Sequence, residues 1–202
     1  MFRSPAIGPT GRRAPPSLRL LLLAMLILTA VATSMWRIRA GHALLPGMFT
    51  VVFLPVSLAL FVLLDRIAGF GAAEWAAAAS LVAAHLALSV PGNGGPLYYR
   101  GTHLLRPDHL VHLLAGALVA WLCAHVVVRV RPEIPGRWLA LSAFALAIGF
   151  GAMKETTDFL SLQASHLPHD AFDSIVDVVA NAIGAAAALW WLARASGTAW
   201  TA

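Results

Sequence analysis

The sequence has little charge and a single cysteine. Only 11% of its 202 residues are charged and 59% are hydrophobic, whereas a soluble domain carries about a quarter charged residues. The one cysteine, Cys123, lies in an apolar run, so a disulfide framework and a CxxC metal or redox motif are excluded and a core position is expected. The sequence also lacks GxSxG, a P-loop and a GxGxxG following a strand. These absences indicate a membrane protein without the signature of a common soluble enzyme.

The apolar residues form six long runs, at about residues 18–36, 44–64, 72–90, 108–128, 138–160 and 172–192. Most of these runs approach the roughly 20 residues that a helix needs to cross a bilayer. These runs are continuous and rich in Ala and Leu, whereas a membrane-spanning β-barrel would show short strands of alternating hydrophobicity. We therefore predict an all-α, polytopic transmembrane bundle of about six helices, one domain covering residues 18–194. Residues 1–17 are predicted to be a disordered basic tail, and residues 195–202 a short C-terminal tail.

The first apolar run has two interpretations. Ala30-Val31-Ala32 fits the cleavage site of a signal peptide, whereas Trp36 and Arg37 are typical of a retained helix, which we favour. With six spans, nine Lys and Arg residues lie on the side of the N-terminus and five on the other, which predicts that both termini are cytoplasmic. The net charge of +5 then lies in loops near lipid headgroups, so the expected partner is the lipid bilayer and not nucleic acid.

Carboxylates are scarce, yet four of the nine acidic residues fall within the last two apolar runs. A carboxylate at the bilayer centre costs roughly 2.5–3.5 kcal/mol on insertion scales. Glu155 and Asp158 are three residues apart, and Asp173, Asp177 and Asn181 follow one another at a spacing of four. Each set therefore shares one helix face, and two such faces can avoid lipid together by pointing at each other.

A third polar pair, Asp108 and His112, begins the fourth run with a spacing of four residues. In the predicted topology all three sets lie at one depth, in the outer half of the membrane. Imidazole and carboxylates from facing helices can hold Zn²⁺ or another divalent ion, and His112, Glu155 and Asp177 are the candidate ligands. The same groups are equally suited to proton handling. The predicted polar site comprises Asp108, His112, Glu155, Asp158, Asp173, Asp177 and Asn181.

Simpler roles exist for several of these residues. Asp108 and Asp173 stand where helices begin and can act as caps, and a neighbouring lysine can neutralise Glu155. Asp177 lies one turn deeper, where capping fails, so a network or functional role is favoured. Gly184, three residues after Asn181, is more typical of helix packing than of a site.

The order of these residues resembles the VanZ-like proteins and the related YjdF-like bacterial inner-membrane proteins. The resemblance covers about residues 105–192, and Asp158 stands where VanZ-like proteins tend to have Gln and Arg, which brings the chain closer to the YjdF-like branch. It implies a multi-pass inner-membrane protein linked to the cell envelope. The residues that carry it are Asp108-x3-His112 at the start of one helix, Glu155 near the end of the next, and Asp177-x3-Asn181-x2-Gly184 in the last.

Two functional hypotheses follow. In the first, the bundle is a binding, transport or envelope-assembly module whose carboxylates bind a cationic or hydroxylated ligand, such as a lipid or envelope component, or relay protons. In the second, it is a membrane-embedded hydrolase or transferase, in which a metal on His112, Glu155 and Asp177 activates water against a lipid-linked substrate. We favour the first hypothesis because the polar cluster needs fewer assumptions under it.

Overall fold

The structure, a computed structural model, describes residues 13–39, 54–89, 91–92, 95–96, 106–164 and 171–195. These residues form six helices and a hairpin of two-residue strands, β1 (Pro91–Gly92) and β2 (Gly95–Pro96), paired antiparallel. The predicted all-α helical bundle of about six helices is confirmed. The helices are α1 (Pro16–Arg39), α2 (Leu54–Ala68), α3 (Ala72–Ser89), α4 (Pro107–Val130), α5 (Gly136–Ala164) and α6 (Ala171–Ala195).

Three helices in the described part of the chain are long and apolar enough to cross a membrane: Pro107–Val130, Gly136–Leu160 and Ala171–Ala195. Their outer surfaces carry large apolar side chains. On α6, for example, Ile175, Val179 and Ile183 are all at least half exposed. A continuous apolar surface of this kind suits contact with lipid. The class of membrane protein predicted from composition therefore agrees with the surface of the folded chain.

Local sequence explains where several helices begin and end. Gly69 follows α2 with a φ of 70°, and its N–H donates to the carbonyl of Asp65, as in a left-handed C-terminal cap. Pro107 opens α4, where its missing N–H costs no hydrogen bond. Pro135 precedes α5, and its carbonyl accepts from the N–H groups of Trp138 and Leu139 in the first turn. Proline and glycine therefore mark these three helix ends.

The central helix of the fold is α4. It packs against α6 and α5 on one side and against α3 and α2 on the other, while α1 packs against α3. Small side chains dominate the core between α4, α5 and α6, where they allow close helix packing: Ala120, Cys123, Ala124, Ala143, Ala147 and Ala185. Cys123 is buried there, as predicted. A second core, which includes Leu22, Phe70, Trp75 and Leu122, joins α1, α3 and α4.

Most of the predicted basic tail, residues 1–17, lies outside the described residues, as do residues 196–202. Ala14 is buried, its N–H donates to the carbonyl of Phe70, and α1 already begins at Pro16. The last residues of the predicted tail are therefore part of the folded structure. Within the predicted second run, 44–64, the described helix begins at Leu54, and residues 40–53 lie outside the description.

Candidate functional site

The predicted polar residues lie at one end of the α4–α6 bundle, where α4 and α6 begin and α5 approaches its end. Six of the seven predicted residues are buried or partly buried. The seventh, Asp158, has a side chain that is 46% exposed. The structure thus brings six of the seven together and leaves Asp158 at the edge. Asp108, Glu155, Asp177 and Asn181 are buried, and His112 and Asp173 are partly buried.

A close helix crossing holds this end of the bundle together. A Cβ atom at Gly116 would meet the backbone of Asn181, and one at Gly184 would meet the backbone of Leu113. The backbones of α4 and α6 therefore approach so closely that no methyl group fits between them. On α5, a Cβ at Gly151 would lie 2.8 Å from the side-chain nitrogen of Asn181. Gly184 is a packing residue, as predicted, and the crossing sets the register of the polar faces.

The first of two groups in the cluster, here called the inner group, consists of His112, Glu155 and Asp177. Each offers one ligand atom, and the three atoms lie within 4.8 Å of one another. His112 Nε2 is 3.4 Å from Asp177 Oδ2 and 4.0 Å from Glu155 Oε1. These are the three residues that the sequence proposed as metal ligands. The structure shows that they are close, and whether they hold a metal stays a prediction.

Glu155 is engaged by neighbours on two helices. Lys154 Nζ donates to its Oε1 at 2.7 Å, and the Ser174 hydroxyl of α6 donates to its Oε2 at 2.6 Å. The predicted local neutralisation of Glu155 by lysine is therefore present. Lys154 also lies 3.0 Å from Asp158, which ties the edge carboxylate to the cluster.

The second group, here called the outer group, consists of Asp108, His109 and Asp173, whose ligand atoms also lie within 4.8 Å of one another. Asp173 Oδ1 forms a 2.7 Å ion pair with Arg106 Nη1 across the starts of α4 and α6. Asp108 Oδ1 accepts the backbone N–H of His109 at 3.0 Å, which satisfies one of the orphan amides of the first turn. Asp108 therefore combines a role at the helix start with membership of the cluster.

His109 and Arg106 also belong to the cluster, although neither is among the residues predicted from the sequence. The ring of His109 accepts the backbone N–H of Arg106 through Nδ1 at 3.3 Å. The sequence did contain a signal for the position of His109. Pro107 at the first helical position places His109 at the third, where a capping-box side chain bonds to the backbone N–H of the residue before the helix.

Asp177 links the two groups through its two carboxylate oxygens. Oδ2 lies 3.4 Å from His112 Nε2, and Oδ1 lies 3.8 Å from His109 Nε2. Among the described residues, Asp177 Oδ1 and His109 Nε2 are buried atoms without a hydrogen-bond partner. Buried polar atoms are nearly always bonded, so this pair points to an incomplete network at the centre of the cluster.

The buried carboxylates outnumber their cationic partners. Asp173 is paired with Arg106, and Glu155 with Lys154. Within the described part of the chain, Asp108 and Asp177 have only histidine side chains as ion-pair partners. With neutral imidazoles, two negative charges are left without a cation in a protein interior, where an unpaired charge costs several kcal/mol. The site therefore has an excess of negative charge, which a cation can neutralise.

Three apolar helices of spanning length among the described residues, with a buried acidic cluster at one end of their bundle, define a helical membrane protein with a polar cluster. The chain belongs to the family described as Predicted membrane protein (DUF2238), whose family model matches residues 18–198. No curated protein and no solved structure matches the chain. The family match confirms the expected membrane-protein class.

Proposed function

We propose that this protein is a multi-pass protein of the bacterial inner membrane whose acidic cluster binds a cation, as part of a binding, transport or envelope-assembly module. The observation that carries the proposal is the pair of carboxylates, Asp108 and Asp177, that have no Lys or Arg partner among the described residues. A bound cation supplies the missing charge, and protons can supply it in the absence of the ligand, so the same site can couple cation binding to proton movement.

The position of the cluster supports a ligand that enters from one side of the membrane. The site lies at the end of the bundle where α4 and α6 begin, and in the six-span topology with both termini cytoplasmic this end faces the cell exterior. The motif order that resembles VanZ-like and YjdF-like proteins supports the same envelope-facing role. A lipid headgroup or another envelope component is accordingly a candidate source of the cation.

Ligand-dependent stabilisation tests the proposal. Purified protein in nanodiscs is heated in NaCl, KCl, MgCl₂, CaCl₂, choline chloride and spermidine chloride at matched ionic strength. A cation that binds the folded state stabilises it by about 2.7 kcal/mol at a concentration one hundred times its Kd. We expect at least one cation to raise the unfolding temperature of the wild type, and Asp177→Asn to abolish that increase.

Asp158→Asn is the matched control, because it also removes one carboxylate of the same region, but an edge one that already pairs with Lys154. This variant should retain the cation-dependent increase. Equal responses of the wild type and Asp177→Asn to every salt would contradict a cation site at Asp177.

A metal-dependent hydrolase or transferase acting on a lipid-linked substrate is the second candidate. It is favoured by the inner group, in which one imidazole nitrogen and two carboxylate oxygens lie within 4.8 Å of one another. A divalent metal such as Zn²⁺ held by His112, Glu155 and Asp177 would lower the pKa of a bound water and supply a nucleophile.

Metal content separates the two candidates. Detergent-purified wild type and Asp177→Ala are stripped with chelator, refilled with Zn²⁺, desalted and measured by mass spectrometry of the element. Near-stoichiometric Zn²⁺ in the wild type that is lost in the variant would favour the hydrolase. Equal trace amounts in both would leave the cation-binding module as the better description.

A further inference from the structure

The ring of His109 is oriented by a backbone group whose chemistry is unambiguous. The N–H of Arg106 can only donate, and it lies 3.3 Å from His109 Nδ1, so this nitrogen is the acceptor. A neutral imidazole has one acceptor nitrogen and one N–H, so the proton of His109 is on Nε2. That N–H points among Asp108, Asp173 and Asp177, at 3.7–3.9 Å from one oxygen of each.

The ring of His112 is oriented by Asn181. The side-chain nitrogen of Asn181 lies 3.0 Å from the backbone carbonyl of Asp177. A carbonyl can only accept, so the NH₂ of Asn181, and not its side-chain oxygen, faces this carbonyl. The same NH₂ lies 3.1 Å from His112 Nδ1. It therefore donates its second hydrogen to Nδ1, and the proton of a neutral His112 is on Nε2, on the side of Asp177 and Glu155.

Lys154 competes for the same ring, because its Nζ lies 3.3 Å from His112 Nε2. An ammonium that donated to Nε2 would move the ring proton to Nδ1, against the NH₂ of Asn181. Two of the three N–H groups of Lys154 are taken by closer acceptors, Glu155 at 2.7 Å and Asp158 at 3.0 Å, and the contact of the third with Nε2 is the longest of the three. The contact of Asn181 with Nδ1 is shorter, at 3.1 Å. Asn181 has no such alternative for its second hydrogen among the described residues, so its contact decides the tautomer.

We infer that Asn181 is a positioning residue that fixes His112 with its proton on Nε2, so that both histidines of the cluster present N–H donors, not lone pairs, to Asp177. Metal-binding histidines show the opposite arrangement, in which the second ring nitrogen donates to a carboxylate or carbonyl. The inference rests on the proposed cation site and names its ligand class. The cation is held by carboxylate oxygens, as an alkali or alkaline-earth ion or an ammonium group is, and imidazole-seeking Zn²⁺, Co²⁺ and Ni²⁺ are disfavoured.

Nitrogen NMR of the wild type tests the tautomers directly. Protein with ¹⁵N-labelled histidine is measured at alkaline pH, where imidazole is neutral, and the signals are assigned with His109→Gln and His112→Gln. We expect the shift of a protonated nitrogen at Nε2 and of an unprotonated nitrogen at Nδ1 for both residues. A protonated Nδ1 at His112, the state that donation from Lys154 would impose, would overturn the inference.

A substitution at position 181 tests the positioning role. In Asn181→Asp the carboxylate can accept from Nδ1–H, so the proton of His112 should move to Nδ1 and the lone pair of Nε2 should become available to metal. Outer partners of this kind change metal affinity by roughly 10–100-fold. We therefore expect Asn181→Asp to bind Co²⁺, followed by its visible spectrum, more tightly than the wild type by that factor.

Asn181→Leu is the control, because it removes the donor without supplying an acceptor and should gain no Co²⁺ affinity of this size. Equal Co²⁺ affinity in the wild type and Asn181→Asp, or a wild type that already binds Co²⁺ through imidazole, would overturn the inference. Failure of the cation site itself has a different signature, in which no salt stabilises the protein although the two tautomers are as stated.

Discussion

Two clusters of buried charge lie along α4, and they differ in how their groups are paired. The first is the acidic cluster at the start of the helix. The second, here called the basal cluster, is centred on Asp65 and Glu74 and reaches α4 at His125. His112 and His125 are separated by thirteen residues of one helix, which corresponds to roughly 20 Å.

In the basal cluster each carboxylate has a structural partner. Asp65 accepts the backbone N–H of Phe70 at 2.9 Å and pairs with Arg19 at 3.4 Å. Glu74 accepts the backbone N–H of Gly71 at 2.9 Å and lies 3.7 Å from His125. These bonds close the turn between α2 and α3, so this cluster stabilises the fold.

The acidic cluster differs in its carboxylates, because one of their oxygens is buried without a hydrogen bond in the described part of the chain. Asp177 Oδ1 and His109 Nε2 lack partners within the described ranges, and cationic side chains are too few for the carboxylates. Burial of charge by itself therefore does not identify a site in this protein. The distinction lies in the buried carboxylate oxygens, since Arg19 Nε of the basal cluster also lacks a hydrogen-bond partner among the described residues. A buried carboxylate oxygen without a hydrogen bond is a feature typical of functional regions.

Disruption of the helix crossing at the acidic cluster should cause the largest change in the free energy of unfolding. Gly184→Leu forces a side chain into the backbone of α4 at Leu113, which cannot move aside as a flexible side chain can. We expect the free energy of unfolding in SDS titrations to fall by about 3 kcal/mol, the upper end of the usual range for overpacking. Gly149→Leu is the control, because nothing lies within 4 Å of a Cβ at Gly149. Similar losses in both variants would show that the close crossing is not the cause.

Truncation in the basal cluster should destabilise the fold without affecting the acidic one. Glu74→Ala leaves the N–H of Gly71 and the ring of His125 without their carboxylate, and buried groups that lose a partner cost about 1–3 kcal/mol. Glu74→Gln retains an oxygen for the N–H and should recover most of the loss in the same SDS titration. A cation-dependent stabilisation that disappeared in Glu74→Ala would contradict the separation of the two clusters.

Neutralising a carboxylate of the acidic cluster should raise the free energy of unfolding, whereas the two changes above should lower it. Asp177→Asn keeps an oxygen for the Nε2–H of His112 and removes one of the two carboxylates of this cluster, Asp108 and Asp177, that have no Lys or Arg among the described residues within ion-pair distance. Single stabilising substitutions commonly add about 0.5–2 kcal/mol, and we expect a gain near 1 kcal/mol in the absence of added ligand, because the variant removes a buried negative charge. A loss of similar size in the SDS titration would mean that Asp177 is a structural group like those of the basal cluster.

Substitution of the edge carboxylate, Asp158, should cause the smallest change in the free energy of unfolding. Asp158 is almost half exposed and pairs with Lys154 one turn away on the same helix. Pairs of this kind contribute about 0.3–0.5 kcal/mol, so Asp158→Asn should change the free energy of unfolding by no more than that. A larger change would place Asp158 inside the acidic cluster, as its spacing from Glu155 predicts.

The sequence by itself determined the class of protein and much of the cluster. Scarce charge and long apolar runs predict a helical membrane bundle, because a bilayer excludes unpaired backbone and charge. The spacing of Asp173, Asp177 and Asn181 assigns them to one face, since the helical repeat depends only on position along the chain. His112, Glu155 and Asp177 lie on three different helices, and their common group could be predicted because polar faces avoid lipid by pointing at one another.

Only the tertiary structure decided the hydrogen-bond roles within the cluster. His109 faces the carboxylates because its ring reaches back to the amide of Arg106. Asp158 lies at the edge, almost half exposed, and contacts the cluster only through Lys154 among the described residues. The proton position on His112 depends on Asn181 of another helix, brought there by the crossing at Gly116. Spacing along one helix can assign a residue to a face. Which atom of a neighbouring helix it meets depends on the crossing of the two helices, and this is a property of the packed chain.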